Sequence, residues 1–420
     1  MRTIIFGTYD TAMHPRIATI AEGLAARGFD VTESNIPLGL STADRVDMLA
    51  KPWKAGGLAA RLASRWLGLA ARARKLGKPD AVVVGYLGHF DVHLARLLYP
   101  RWPVSSKRGV PIVLDHLISA ANTAKDRKIA GGGLKQRLLE LIDAAALRAA
   151  DIVVVDTEEH LEIVPEKYRP KAVVVHVGAP RPWHAAGAEL PASTELPAST
   201  ASPASTGPSA DSGGPLKVVF YGLYTPLQGT PVIGEALGRL AGAPVEVTMI
   251  GRGQDEAETK RAAAANQSVR WLDWVPAAEL PALVAAHDVC LGIFGTGDKA
   301  LRVVPNKVFQ GAAAGCAVIT SDTAPQRRVL GDAAVLVPPG DPEALAGALL
   351  RLADDREALL KLRHAARQLA SERFTPEQVV APLKPSVTTF LMMPAKRSSC
   401  PRFCRTWFRK RMENSTAART

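Results

Sequence analysis

The sequence predicts an α/β protein made of two doubly wound domains in series, and three observations carry that expectation. Short β-branched runs alternate with Ala/Leu-rich helical stretches along both halves, the pattern of parallel sheets covered on both faces. A segment of Pro, Ala, Ser and Thr lies between the halves. The length of 420 residues suits two or three domains, each able to bury its own core. The expected domains are 1–188 and 216–383, facing each other across a cleft.

Taken in order, the first half shows strand runs at 3–6, 30–33, 81–84, 112–114, 152–155 and 172–177. The opening Met1-Arg-Thr-Ile-Ile-Phe-Gly7 reads as a buried strand rather than a signal peptide, being too short before Asp10. Between Asp47 and Asp80 stand eight basic residues and no acidic one, with Leu58, Leu62, Trp66, Leu69, Ala73 and Leu76 on one helical face and Trp53 just upstream. That stretch, 51–78, suits either a helix lying in an anionic membrane surface or a helix packing its apolar face on its own sheet. Residues 189–215 repeat Glu-Leu-Pro-Ala-Ser-Thr and hold too few large apolar groups to fold, so they form a linker. The second half has strand runs at 217–221, 246–250, 269–271, 289–293, 317–320 and 334–337. The final stretch, 384–420, loses any clear period and reads as a disordered basic tail or a change of reading frame. Its Cys400 and Cys404, with no further Cys or matching His, are weak grounds for a metal site.

Charge narrows the function. The formal net charge is +12, but residues 1–188 carry +8 and 384–420 another +8, while 216–383 are −1. A uniformly basic nucleic-acid binder is excluded by that distribution. Four cysteines in a chain of this size build no disulfide framework and suit a reducing cytoplasm. No purely apolar run reaches membrane-spanning length.

Ligands of doubly wound sheets bind beyond the carboxyl ends of the strands, so chemistry is sought there. After the first strand come Gly7, Tyr9, His14 and Arg16, with a helix opening near Pro15. No Gly-x-Gly-x-x-Gly dinucleotide fingerprint is present. Asp115 and His116, followed by Ser119, end another strand and can hydrogen-bond a substrate hydroxyl or move a proton, with Asp126 and Arg127 beyond. The second half opens with Gly222, Gln228 and Gly229 around a loop suited to donating backbone N–H groups to phosphate, and Gly251 and Arg252 follow the next strand. The densest segment is Gly295 to Gln310, where Lys299, Arg302 and Lys307 surround a helix start at Asn306, with Gln310 one turn inside. Helix dipole, free N–H groups and lysine together make a diphosphate pocket there.

In this order the segments resemble the family 4 retaining glycosyltransferases (glycosyl transferases group 1) of GT-B fold, over nearly all of 1–383. The likeness rests on His-Pro-Arg at 14–16, Tyr-Gly-x3-Pro-Leu-x-Gly at 221–229, Gly-Ile-Phe-Gly from 292, Pro-Asn-Lys-Val at 305–308 with Gln310, and Val-Pro-Pro-Gly-Asp-Pro-Glu-Ala-Leu at 337–345. The resemblance implies transfer from a nucleoside-diphosphate sugar with retention, by front-face displacement without an enzyme nucleophile. The donor diphosphate of the family is usually held by an Arg and a Lys, whose positions here are Leu223 and Gln228. Its Glu-x7-Glu signature falls on Arg302 and Gln310. Both charges and both carboxylates are thus replaced, and Lys299, Arg302 and Lys307 are the expected substitutes. No Asp-x-Asp occurs, in keeping with metal-independent chemistry.

The expectation is therefore a cytoplasmic glycosyltransferase, peripheral on the inner face of the membrane, with Asp115 and His116 orienting acceptor or sugar. It needs no cofactor beyond its nucleotide-sugar substrate, no metal ligand is assigned, and the partners are a glycan or lipid-linked acceptor and no nucleic acid. A non-catalytic nucleotide-binding or scaffold protein and a nucleotide-sugar epimerase, both of GT-B fold, remain open alternatives.

Overall fold

A computed structural model describes residues 1–10, 15–39, 55–100, 109–117, 119–121, 133–188 and 214–392. His14, Asp126, Arg127, Lys51, Trp53, Lys54, nearly all of the expected linker and the tail beyond 392 lie outside the described residues. The chain divides into two compact units. The first comprises residues up to His176 together with those from Val380 onward, and the second runs from Val177 to Val379.

The first unit runs β1 (Arg2–Gly7), α1 (Arg16–Ala26), β2 (Asp30–Asn35), α2 (Ala55–Leu76), β3 (Ala81–Val84), α3 (Asp91–Leu98), β4 (Ile112–Asp115), α4 (Leu134–Ala149), β5 (Ile152–Val155), α5 (Glu158–Ile163) and β6 (Ala172–Val174). Its sheet has the order β2-β1-β3-β4-β5-β6 with every pair parallel. β3, β4 and β5 are buried along their whole length, as their largely Val/Ile composition, broken only by Ala81, Leu114 and the strand-end Asp115, suits strands with helices on both faces. Edge strand β2 instead carries Asp30 and Glu33 exposed to water, which keeps its free edge from pairing with another chain.

In the second unit α6 (Arg181–Ala188) precedes β7 (Leu216–Tyr221), α7 (Thr230–Arg239), β8 (Val245–Ile250), α8 (Glu256–Ala262), β9 (Val269–Leu272), α9 (Leu280–Ala285), β10 (Val289–Leu291), α10 (Asn306–Ala313), β11 (Ala317–Ser321), α11 (Ala324–Leu330), β12 (Val335–Val337), α12 (Pro342–Asp354), α13 (Arg356–Leu369) and α14 (Pro376–Val379). The parallel sheet has the order β12-β11-β10-β7-β8-β9. Asp341 caps α12 by accepting from the Ala344 N–H at 2.9 Å, with Pro342 at the first helical position. Such a cap contributes about 1 kcal/mol. Asp355 caps α13 in the same way, at 2.8 Å.

All twelve expected strands are present, and three features depart from expectation. The run at 172–177 stops as a strand at Val174, because the buried Val175 and Val177 continue the apolar sequence beyond the ladder. Residues 177–188, expected with the first domain, pack with the second unit: Trp183 stacks on Tyr221 with centroids 5.6 Å apart, and a Cβ on Gly187 would lie 2.2 Å from the Ala313 carbonyl oxygen. The start of the expected tail is helical, as α15 (Leu383–Met392), with Leu383 and Val387 buried one turn apart. Pro385 is tolerated in that first turn, where no intrahelical N–H bond is lost. Of the two readings of 51–78, the structure agrees with the second, because from Trp66 to Leu76 the apolar stripe of α2 faces its own unit. Leu69 and Ala73 are buried in the core, Trp66 and Leu76 pack against it, and Trp66 Nε1 donates to Asp91 Oδ1 at 2.9 Å. That part of the stripe is therefore not available to insert into a membrane. Arg61, Arg74, Lys75 and Lys78 remain exposed.

Candidate active site

In each sheet the strand order reverses at one place, and the crevice beyond the strand ends there is where doubly wound folds bind ligands. In the second unit that place lies between β7 and β10. The loop after β7 begins with Gly222 and ends with Gly229, while the loop after β10 runs from Gly292 to Gly297. Phe294 N–H donates to the Gln228 carbonyl at 2.9 Å, tying the two loops together. Gly229 has φ 64°, and a Cβ there would lie 2.4 Å from the Gly295 nitrogen, so only glycine fits. It opens α7, which has no side-chain cap, and α10 likewise starts without one after Pro305. Val232 and Val308 spend their N–H groups on the Gly229 and Pro305 carbonyls, and Pro231 has none, so the first-turn donors left at the strand ends are the N–H groups of Thr230, Asn306 and Lys307.

Lys307 crosses this region from α10. Its side chain is buried, its Nζ contacts Gln228 Oε1, and it lies 3.7 Å from the Phe220 ring centroid. A Cβ on Gly222, whose φ is 145°, would come within 3.1 Å of that Nζ, so the glycine leaves room for the ammonium. Burial lowers the Lys307 pKa from 10.5 to about 7, against a small opposing influence from Cys290. Among the described residues its partners include no carboxylate. The cation expected at position 228 is absent, yet Lys307 brings an amine to the side chain standing there.

The other expected donor residues are less concentrated. Gln310 is buried and its Oε1 accepts from the Tyr221 hydroxyl at 2.9 Å. Burial pushes that phenol well up, so it stays a donor. Arg252 pairs with Asp273 at the surface, and Arg302 lies 3.6 Å from Asp298. Lys299 and Asn306 are half-buried. Gly251 donates its N–H to the Leu272 carbonyl at 2.8 Å, closing the loop after β8 against β9.

On the first unit the order reverses between β1 and β3. Tyr9 folds back there, buried, with its hydroxyl donating to Glu33 Oε1 at 2.7 Å; burial and Glu33 both raise its pKa. Asp91 Oδ2 accepts from Thr8 N–H at 2.7 Å and from its hydroxyl at 2.8 Å, bracing the turn after Gly7. Arg16, expected on the acceptor side, and Asp115, expected to orient acceptor or sugar, meet each other: Arg16 Nε donates to Asp115 Oδ1 at 2.9 Å, and Nη2 to the Val175 carbonyl at 2.9 Å. Both are almost fully buried, so the pair holds α1 against β4 rather than presenting two free charges. Burial raises the Asp115 pKa, opposed by the guanidinium. His116, just past β4, is fixed through its backbone N–H to the Val154 carbonyl at 2.8 Å, and burial with His89 nearby lowers its ring to about 4. The neutral ring can bond a hydroxyl without carrying charge.

The expectations omit several residues that surround His116. His89 in the β3–α3 loop packs edge-on to its ring with centroids 5.3 Å apart, and Asp143 from α4 lies 2.9 Å from His89 Nε2. Burial works to raise Asp143, but contacts from His89, Ser119 and Ala121 hold it down to about 2. One signal was available: Asp143 falls in register with the buried Leu139, Ala146 and Leu147, an acid on an apolar helix face. Asp156, buried, pairs with the half-buried His160; burial works to raise Asp156, but the hydrogen bond and charge of His160 together with Arg16 lower it.

Comparison with known proteins agrees with this architecture. Residues 215–355 match the family model Glycosyl transferases group 1. Phosphatidyl-myo-inositol mannosyltransferase of Mycolicibacterium smegmatis is 33% identical over 161 residues, 37% of this chain and 40% of that protein. Sucrose-phosphate synthase of Thermosynechococcus elongatus superposes over 92% of this chain and 98% of its own, with a TM-score of 0.63 at 15% identity. Anabaena HepE in complex with UDP-glucose covers 92% of this chain and 99% of its own, with a TM-score of 0.59 at 12% identity. Among the described residues no helix is long and apolar enough to cross a membrane. The chain thus has the GT-B fold, and its second unit carries the sequence pattern of Glycosyl transferases group 1.

Proposed function

We propose that the protein is a retaining glycosyltransferase that moves a sugar from a nucleoside-diphosphate donor, bound by the second unit, to an acceptor bound on the first. The observation that carries this reading is Lys307, a buried amine brought against Gln228 and Gly222 between two uncapped helix starts. In the transfer the bond from the anomeric carbon to the diphosphate breaks, and the acceptor oxygen bonds to the same face. The acceptor proton passes to the departing phosphate oxygen. Charge growing on that phosphate is met by first-turn N–H groups of α7 and α10 and by Lys307, preorganised donors that need no metal at the diphosphate. His116, neutral and fixed at the end of β4, orients a hydroxyl.

A lipid-linked acceptor is supported by the mannosyltransferase relatives, whose name specifies phosphatidyl-myo-inositol and of whose length this chain spans less than half. The exposed basic side of α2 supports contact with an anionic inner leaflet, each cation contributing about 1 kcal/mol. Location in the cytoplasm at that surface belongs to the same reading.

Isotopic transfer with UDP-, GDP- and dTDP-sugars tests it, and neither binding nor turnover with any donor refutes it. One observation favours a second reading. Gln310 stands where the family has a carboxylate, and its oxygen is engaged by Tyr221. Tight nucleotide binding without transfer would identify a binding protein, and conversion of the donor without acceptor an epimerase.

A further inference from the structure

We propose that His89, His116 and Asp143 form a binding site for a divalent transition-metal ion of the zinc class, on the first unit. The three come from separate elements, namely the β3–α3 loop, the end of β4 and helix α4, and all are buried. One donor atom from each lies within 4.8 Å of the other two. A tetrahedral zinc with ligands at about 2.1 Å sets its donors about 3.4 Å apart, so this cluster closes on an ion with small side-chain adjustments.

Two of the ring nitrogens in the cluster lack a hydrogen-bond partner. His89 Nε2 lies 2.9 Å from Asp143 Oδ1 in an ion-pair contact, but the buried nitrogen makes no well-aligned hydrogen bond there. His116, about nine-tenths buried, also has its Nδ1 without a hydrogen-bond partner. A buried polar atom left in that state is costly, and coordination would satisfy both nitrogens at once.

The carboxylate is oriented in advance. Asp143 Oδ2 accepts from the Ser119 hydroxyl at 2.6 Å and the Ala121 N–H at 3.0 Å, and Oδ1 from the Ala120 N–H at 2.9 Å. Outer donors of this kind fix ligand geometry in metal sites. Two imidazoles and one carboxylate select against magnesium and calcium, which prefer all-oxygen shells, and leave a fourth position for water or another oxygen. The inference does not depend on sugar transfer, since the diphosphate is assigned to Lys307 and helix ends of the other unit. It bears on transfer in one respect: a coordinated His116 is not available to a hydroxyl through the same nitrogen, so occupancy would tune the acceptor side.

The test uses full-length, tag-free protein carrying Cys400→Ser and Cys404→Ser, which removes the one other sequence feature suggestive of zinc. After dialysis against Zn2+ and removal of free ion, one equivalent is expected by elemental analysis. Zinc-edge absorption should show nitrogen and oxygen donors with imidazole scattering and no sulfur. His89→Ala should weaken Zn2+ binding at least tenfold while keeping a cooperative unfolding transition. Substoichiometric zinc in the parent, sulfur in the shell, or unchanged affinity in folded His89→Ala would overturn the proposal. Should His89→Ala fail to fold, the shell measured on the parent decides alone.

Discussion

Replacing Lys307 with methionine removes one charge at nearly constant shape, and the structure sets opposite signs for its effects on stability and on donor binding. A fall from 10.5 to about 7, at about 1.4 kcal/mol for each pH unit, places roughly 5 kcal/mol against the charged form in the folded protein. The folded pKa lies below the unfolded one, so between pH 7 and 10.5 the unfolded chain binds more protons than the native one. Wild-type stability contributed by this group therefore rises with pH through that window and is lowest below pH 7. The Lys307→Met variant has no such dependence. It should exceed wild type most at pH 6, with the difference shrinking by about 4 kcal/mol between pH 7 and pH 10. Thermal unfolding of both proteins at pH 6, 8 and 10 reads this directly. Donor binding should move the other way, because a diphosphate beside the amine favours its charged form and draws in a proton. Calorimetry at pH 8 in buffers of different ionisation enthalpy should show proton uptake for wild type, none for the variant, and an affinity loss of more than about 1 kcal/mol. Parallel stability profiles would show that Lys307 is not strained by burial, and equal donor affinity that it is not part of the diphosphate site.

Three further outcomes follow. Gly229→Ala forces a side chain into φ 64° and within 2.4 Å of backbone atoms, so the second unit should lose about 2–3 kcal/mol, seen as a lower transition temperature; an unchanged transition would count against the loop geometry. Asp115→Asn leaves the Arg16 guanidinium buried beside a neutral group and should cost about 3–5 kcal/mol, with much of the loss recovered in Arg16→Met/Asp115→Leu. Unfolding of the Asn variant within a degree of the parent would show that the pair is not closed in solution. Arg61→Glu/Arg74→Glu/Lys75→Glu, all on the exposed side of α2, should reduce sedimentation with phosphatidylserine-containing vesicles by an amount that shrinks as salt rises; unaltered sedimentation would retire the membrane contact.

How far the sequence carried the fold depends on how local the determining physics is. The strand runs are short, apolar and β-branched, and burial on both faces leaves such segments few other conformations, so each appears where its composition placed it. The glycine turns at 222 and 229 were visible for the same reason: a tight turn and a close backbone approach impose their demand at a single position. The departures arise where a neighbour distant in sequence decides. The stripe of α2 is equally apolar against a lipid or a sheet, and only the Trp66 bond to Asp91 and the burial of Leu69 show which surface it meets. Helix α15 is weakly periodic and begins beside a proline, so its helicity depends on burial of Leu383 and Val387.

The same distinction separates the two candidate sites. Every donor-side group was legible singly, because strand ends and helix starts announce themselves by Gly, Pro and Lys; that Lys307 reaches Gln228, 79 residues away, was not. On the acceptor side the pairing changes the chemistry itself. Arg16 and Asp115 are 99 residues apart and read as two free polar groups until they neutralise each other. That closure leaves His116 as the described strand-end group with an unclaimed ring nitrogen, and the neighbours facing it are a histidine and a carboxylate. A site that loses its expected ion pair to structure and gains two imidazoles and an oriented acid is better suited to holding a cation or a hydroxyl than to binding an anion. On the proposed reading the diphosphate is therefore held by the second unit, and what the first unit offers an acceptor is a place for a hydroxyl, whatever charge the rest of the acceptor carries.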